Sequence, residues 1–380
     1  MKYIMCRNNQ EYVDENGNPI YSIDKLDRVN ILVGENNSGK SRFIRNLIVA
    51  SENNSNYVYY DDKELSQESR RTIMYNINDI INSIDYFYRK KGDYQFKMQL
   101  EKELKKRENI LEKCIWLHNE YYHNIIETTG ANKEIDASFN KIFIQRLFDY
   151  KKINQMNFYY IPVLRGIENF EVYFDEGNEY KKLANIQMTM NDMDALKAYT
   201  NQAKTIYKNK IHSIYGIAEN KIFTAEELYD NVVDILLGEE SGRLKLHEFE
   251  KFISDNFYNG EGFSINPSRK KNCLMVKIKQ DPEREIYSLG DGIKQLIVLL
   301  YPIFMHKDEE YMFFIEEPEI NLHPGFQRKV MEILLSSEFS NHTYFINTHS
   351  NHIIDVINEY DDVRLYKFKK LNGKKEIKII

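Results

Sequence analysis

The residues best equipped for chemistry fall in short stretches far apart in the chain. Gly34, Glu35, Asn36, Asn37, Ser38, Gly39, Lys40 and Ser41 form the segment GENNSGKS, with glycines first and sixth and a lysine and a serine closing the run. That is the pattern of a phosphate cradle. Glycines let backbone N–H groups turn inward, the helix that follows adds positive potential at its N-terminus, the Lys40 ammonium reaches the β- and γ-phosphates, and the Ser41 hydroxyl suits Mg2+. Glu316 and Glu317 follow the apolar run Tyr311 to Ile315. Two adjacent carboxylates beside a hydrophobic strand are costly to bury unless a metal or a reacting water engages them. The functional reading gives Glu316 the Mg2+ ion, through water, and Glu317 the orientation or deprotonation of the water that attacks the γ-phosphate. The bland alternative is an exposed strand end with two solvated acids. His349 follows a second apolar run, Thr343 to Asn347, where its imidazole would contact the γ-phosphate and report hydrolysis. Finally, Leu289, Gly290, Asp291 and Gly292 make a glycine turn that opens a helix, a second anion site too far along the chain to belong to the first cradle.

The surrounding pattern supplies the elements that would position these groups. Val29 to Val33 reads as a buried strand, and Phe43, Ile44, Leu47 and Ile48 mark the apolar side of a helix opened by Lys40 and Ser41. The continuous apolar runs at 311–315 and 343–347 have the form of central parallel strands buried on both faces, whose ends place polar groups at a ligand crevice. Phe158 to Val163 is a further short strand. Lys2 to Arg7 and Tyr12 to Ile23 read as two antiparallel strands, and Val363 to Phe368 with Glu376 to Ile380 as a hairpin around Asn372 and Gly373. Between about 66 and 150 the composition turns charged and helix-forming, with an apolar stripe through Phe96, Leu100, Leu104 and Leu111. Its charges are read first as a solvated face rather than as a nucleic-acid patch.

Composition narrows the setting. A formal charge of -6 gives no global positive field for nucleic acid, so any such contact must be local. Cys6, Cys114 and Cys273 are scattered, which suggests neither a disulfide framework nor a zinc site. The N-terminus lacks the charged and apolar regions of a signal peptide, and no apolar run approaches the roughly 18–20 residues of a membrane span. The expectation is a cytoplasmic protein without a membrane partner.

In order, GENNSGKS, SLGDGIKQL, FFIEEPEINLHP and FINTHS resemble the head domains of ABC-type ATPases. The EEPE run followed by LHP, with IPVLRG near the middle, is most similar to the overcoming-lysogenization-defect (OLD) nucleases and related AAA-type ATPases of bacterial defence. The resemblance implies an α/β P-loop head with a mixed or parallel central sheet and an N-terminal antiparallel lobe, carrying large helical insertions. It divides the chain into head segments 1–65, 156–187 and 258–380, interrupted by helical segments 66–155 and 188–257. It implies ATP and Mg2+ as cofactors and a homodimer or higher oligomer in which Leu289 to Gln295 of one copy closes over the nucleotide of another. It also implies a Toprim nuclease, fused downstream or separate, and leaves DNA open as a further partner. Asp192 and Asp194, on an expected helix, are not read as a nuclease site. Where ABC proteins carry a signature serine this chain has Gly290, with Ser288 earlier, and no glutamine follows the 158–162 strand. Arg165 stands there as a candidate phosphate or dimer contact. Competing readings are an SMC-like repair ATPase, for which the heptads are too short, a non-hydrolysing ATP-gated scaffold, and, less well matched, a transporter subunit.

Overall fold

The computed structural model describes residues 2–6, 12–14, 22–48, 57–61, 67–90, 95–107, 113, 116–117, 157–163, 165, 208–271, 273–371 and 374–379. In chain order its elements begin with strands β1 (Lys2–Cys6), β2 (Tyr12–Val13), β3 (Ser22–Leu26) and β4 (Val29–Gly34), then helix α1 (Lys40–Ile48) and β5 (Tyr57–Asp61). Helices α2 (Gln67–Lys90) and α3 (Phe96–Lys105) follow, then β6 (Phe158–Ile161), α4 (Leu228–Leu237) and α5 (Glu240–Phe257). The C-terminal part holds β7 (Phe263–Ser268), β8 (Cys273–Ile278), β9 (Arg284–Glu285), α6 (Asp291–Met305), β10 (Tyr311–Glu316) and α7 (Pro324–Leu335). It closes with β11 (His342–Asn347), the single turn α8 (Asn351–Ile354), β12 (Val363–Leu371) and β13 (Lys374–Ile379).

The chain divides into two compact units, residues 1–26 with 55–155, and residues 27–54 with 156–380. In the first, β1 pairs antiparallel with both β3 and β5. Of the second strand expected over Tyr12 to Ile23, Tyr12–Val13 form β2 and β3 begins at Ser22, while the other edge of β1 is filled by β5. Helices α2 and α3 lie against each other. Ile77 and Ile81 on one and Leu100 and Leu104 on the other are buried at the four-residue spacing that aligns side chains on one helical face.

The second unit is organised on a sheet of order β13-β12-β4-β11-β10-β6. Every pairing from β12 through β6 is parallel, and β13 returns antiparallel along β12. This is a mixed α/β fold with a mostly parallel centre. Phe313, Phe314 and Ile315 of β10 and Tyr344 and Ile346 of β11 are wholly buried, because parallel central strands are covered on both faces. Helix α6 is buried along Gln295 to Phe304 and meets α5, whose Phe249 and Phe252 rings lie 5.5 and 5.0 Å from Phe304. A small antiparallel sheet, β7-β8-β9, is tied to α5 where Glu250 accepts the Ile265 N–H at 2.7 Å. The sheet register puts Glu316 beside Asn347 and Asn347 beside Leu32. The C-terminal ends of β4, β11 and β10 therefore lie side by side.

Candidate nucleotide site

The loop that leaves β4 turns on backbone conformations that few residues adopt. Gly34 has φ +147°, Asn37 +63° and Gly39 +99°. Glu35, Asn36 and Asn37 are exposed, whereas Ser38 and Lys40 are buried. Lys40 Nζ folds back onto the loop, donating to the carbonyls of Gly34 at 2.7 Å and Glu35 at 3.1 Å. Burial lowers its pKa, against the pull of Glu317 and Glu319.

Glu316 ends β10 and is 3% exposed. Arg45, one turn beyond Ser41 on α1, sets Nη1 3.0 Å from Glu316 Oε1 and 3.2 Å from the Tyr160 hydroxyl. Burial pushes the Glu316 carboxyl up; Arg45 and hydrogen bonds from Tyr160 and Ser41 oppose it. Burial also works against the Arg45 charge, but Tyr160 and Glu316 outweigh it and its pKa ends higher. Asn347 Nδ2 donates to Ser41 Oγ at 2.9 Å, and its Oδ1 is buried without a hydrogen-bond partner among the described residues, as is Ser38 Oγ. Ser41 and Glu316 thus bring a hydroxyl and a carboxylate together, the hard oxygen donors that Mg2+ prefers. The donor set fits such an ion, with Ser41 and Glu316 as the groups that would hold it.

Glu317 begins the turn after β10 with φ +46°, sterically unfavourable for a residue with a Cβ. Its N–H donates to the Asn347 carbonyl at 2.7 Å. Arg165 braces the same turn. Its Nη1 donates to the carbonyls of Pro162 and Glu316, each at 2.6 Å, and its Nη2 to that of Glu317 at 2.8 Å. Burial brings Arg165 down to about 10 despite Glu319, Glu316 and Glu317, a value that still leaves it cationic at neutral pH. Its Nη groups are directed into the chain, at the strand end, rather than outward. His349 is exposed, and its backbone N–H donates to Glu319 Oε1 at 2.6 Å. His323 caps α7 by accepting the Gly325 N–H at 3.2 Å.

The glycine turn behaves differently. Gly290 is the N-cap of α6 and makes no side-chain cap, and Asp291 pairs only with Lys294 of its own first turn, at 2.8 Å, among the described residues. Ser288 Oγ donates to the Glu285 carbonyl at 2.7 Å. Gly290 sits at φ −58° and ψ 144°, ordinary for any residue, and an added Cβ would meet nothing within 4 Å. Leu289 and Gly292 are half-buried, and a Cβ on Gly292 would lie 3.2 Å from the Asn321 carbonyl.

The loop residues Gly34 to Ser41, Glu316, Glu317 and His349 are thereby gathered at adjoining ends of β4, β10 and β11, while Leu289 to Gly292 stand at the start of α6. Arg45, Asn347 and Glu319 were not picked out from sequence. Arg45 stands four residues after Ser41, on the same helical face, and Glu319 lies inside the EEPE run, so spacing held a clue to both. Asp192, Asp194, Asn372 and Gly373 lie outside the described residues. Among those described, no group of three or more His, Cys, Asp and Glu side chains forms a metal cluster, and no helix is long and apolar enough to cross a membrane.

A glycine-lysine-serine loop between a parallel strand and a helix, with carboxylates at a neighbouring strand end, is the arrangement of a P-loop ATPase domain of the AAA class, a class that in general binds ATP with a divalent metal. The family model described as "AAA domain, putative AbiEii toxin, Type IV TA system" matches residues 29–355, and the chain belongs to that family. It is 23% identical over 271 residues to the uncharacterized protein MJ1542 of Methanocaldococcus jannaschii; the match covers 66% of this chain but 32% of that protein's length. Among solved structures, the Smc head domain of Pyrococcus furiosus with an extended coiled coil, bound to the C-terminal domain of ScpA, is similar at 11% identity and a TM-score of 0.38, covering 100% of this chain and 96% of that one. The SMC head domain of Thermotoga maritima follows at 16% identity and a TM-score of 0.29, over 40% of this chain and 52% of that one.

Proposed function

We propose that this chain hydrolyses ATP at a composite site that closes when two copies meet, and that the cycle switches a DNA-cutting effector in bacterial defence. The observation that supports hydrolysis best is the convergence of Ser41, Glu316, Asn347 and Glu317 at neighbouring strand ends, with the Glu317 backbone held in an unfavourable conformation by Arg165 and Asn347. Strain maintained by surrounding hydrogen bonds is characteristic of functional positions. In this reading Lys40 exchanges its loop carbonyls for phosphate oxygens, and the N–H groups from Gly34 to Ser41 cradle the phosphates. Ser41 and Glu316 would hold Mg2+, which would neutralise charge on the phosphate chain. Glu317 orients the attacking water and accepts its proton, and His349 faces the γ-phosphate. Arg165 serves by fixing the Glu316–Glu317 turn.

The dimer reading is supported by Gly290. Among the described residues neither its backbone angles nor its neighbours require glycine, which leaves room at this turn for close approach by a second copy, and an uncapped helix N-terminus attracts anions. The effector reading rests on the resemblance of EEPE, LHP and IPVLRG to OLD nucleases, with a Toprim nuclease fused or separate, and a family described by a putative toxin is in keeping with it. The cytoplasm is the proposed compartment.

Turnover of ATP by the wild-type chain and by Glu317→Gln tests the assignment. The variant is expected to bind ATP but to lose roughly 10²–10⁴-fold in kcat, the usual contribution of a general base. Equal turnover in both would remove Glu317 from the chemistry.

A further inference from the structure

The cradle is touched by a side chain that its motif does not contain. Strand β12 pairs parallel with β4 as far as Phe368↔Gly34, and β13 folds back along it with Lys375 opposite Lys370. The hairpin therefore runs beside the loop, and it is fitted to both loop glycines. A Cβ on Gly34 would lie 2.2 Å from the Phe368 carbonyl oxygen. One on Gly39 would lie 2.4 Å from Lys375 Cδ, 2.8 Å from Cε and 3.1 Å from Nζ. Phe368 also packs on Phe43 of α1, ring centroids 5.3 Å apart, which anchors the hairpin to the helix that the loop opens. Lys375 is half-buried, with its ammonium end lying along the loop.

Charge gives this placement a purpose. Glu316, Glu317 and Glu319 surround the strand ends; Arg45 is engaged by Glu316 and Arg165 by carbonyls, which leaves Lys40 as the motif's ammonium for a polyphosphate. We propose that Lys375 is a second phosphate-binding lysine, supplied by the C-terminal hairpin, whose ammonium acts on the phosphate oxygens of a bound nucleoside triphosphate from the Gly39 side of the loop. The inference rests on the nucleotide reading of the cradle. It makes the hairpin part of the binding site, and it gives Gly39 a packing reason beside its positive φ, since any larger residue would displace the lysine stem.

Titration of the full chain with a fluorescent ATP analogue separates the two ideas. Lys375→Gln is expected to weaken binding roughly tenfold, the value of one charge-assisted hydrogen bond. Lys375→Glu should lose more, and Lys375→Arg should stay close to wild type because the charge is kept. Lys369→Gln, an exposed site on the same hairpin, should bind as wild type does. If wild type binds and Lys40→Ala does not, the cradle stands whatever Lys375 does. Equal affinity in wild type and Lys375→Gln would then overturn this inference alone. So would equal losses for Gln, Glu and Arg, which would mark Lys375 as packing, or an equal loss in Lys369→Gln, which would mark a diffuse field. No binding by wild type would overturn both readings.

Discussion

The glycines of the phosphate loop and the glycine that caps α6 answer to different constraints. Gly34 and Gly39 have positive φ, and both are pressed by the chain's own C-terminal hairpin. Gly290 has ordinary backbone angles and open space where a side chain would stand. The first pair is explained within the molecule; the second position is not. The same contrast holds for charge. Around the cradle, Lys40, Arg45, Arg165, Glu316 and Asn347 are buried or half-buried and bonded to one another, to carbonyls or to the Ser41 hydroxyl, whereas the α6 turn offers an exposed helix N-terminus with no side-chain cap. The loop half of the site is assembled from one chain's own elements, whereas at the α6 turn, among the described residues, nothing stands where a Gly290 side chain would be.

Three substitutions or conditions test how deep that contrast runs. The largest effect is expected at the buried pair. Arg45→Met removes the partner of a carboxylate that is 3% exposed, and stranding a buried charge costs about 3–5 kcal/mol, against at most about 1 kcal/mol for a surface pair. Urea unfolding reads the difference, and a loss below about 1 kcal/mol would mean that the cradle half is less closed than described.

The next effect belongs to the opposite ends of the same strands. His342 opens β11, is 1% exposed and lies 5.0 Å from the Phe313 ring; burial holds its pKa down at about 4. Because the folded value is below the unfolded one, the unfolded chain takes the proton first. His342 therefore costs nothing above about pH 6.5, and stability falls as pH drops from there toward 4, by about 3 kcal/mol in all. Comparing unfolding free energies of wild type and His342→Phe across that window isolates the contribution. A parallel pH response in both would show that His342 is not the group responsible.

The smallest effect concerns the open half. Gly290→Leu has room in the single chain, so its melting temperature and its ATP affinity should match wild type, while turnover should fall roughly tenfold through loss of close approach by the second copy, about 1.4 kcal/mol in the barrier. A drop in melting temperature would mean that the turn is constrained from within after all.

The chemistry of the site was legible wherever it is local. Gly34 to Ser41 read correctly as a strand-loop-helix junction because backbone geometry, helix opening and apolar period all bear on adjacent residues. The runs 311–315 and 343–347 read as buried strands because burial on both faces leaves no polar alternation. The bonds Arg45–Glu316 and Asn347–Ser41 span 271 and 306 residues, and only sheet order brings such partners together, so no local pattern could reveal them. Arg165 was noticed for standing where a glutamine was expected, but its bonds to the Glu316 and Glu317 carbonyls depend on β6 lying next to β10. Lys375 escaped notice for the same reason: among the many lysines of the terminal hairpin, only register against β4 sets one beside Gly39.

The central claim is that the second half of the site comes from another copy. The molar mass of Glu317→Gln in solution, measured by light scattering with and without ATP and Mg2+, tests it directly. The account predicts a single chain without nucleotide and a dimer with ATP that Gly290→Leu weakens. A mass unchanged by ATP, in a chain shown to bind it, would contradict it.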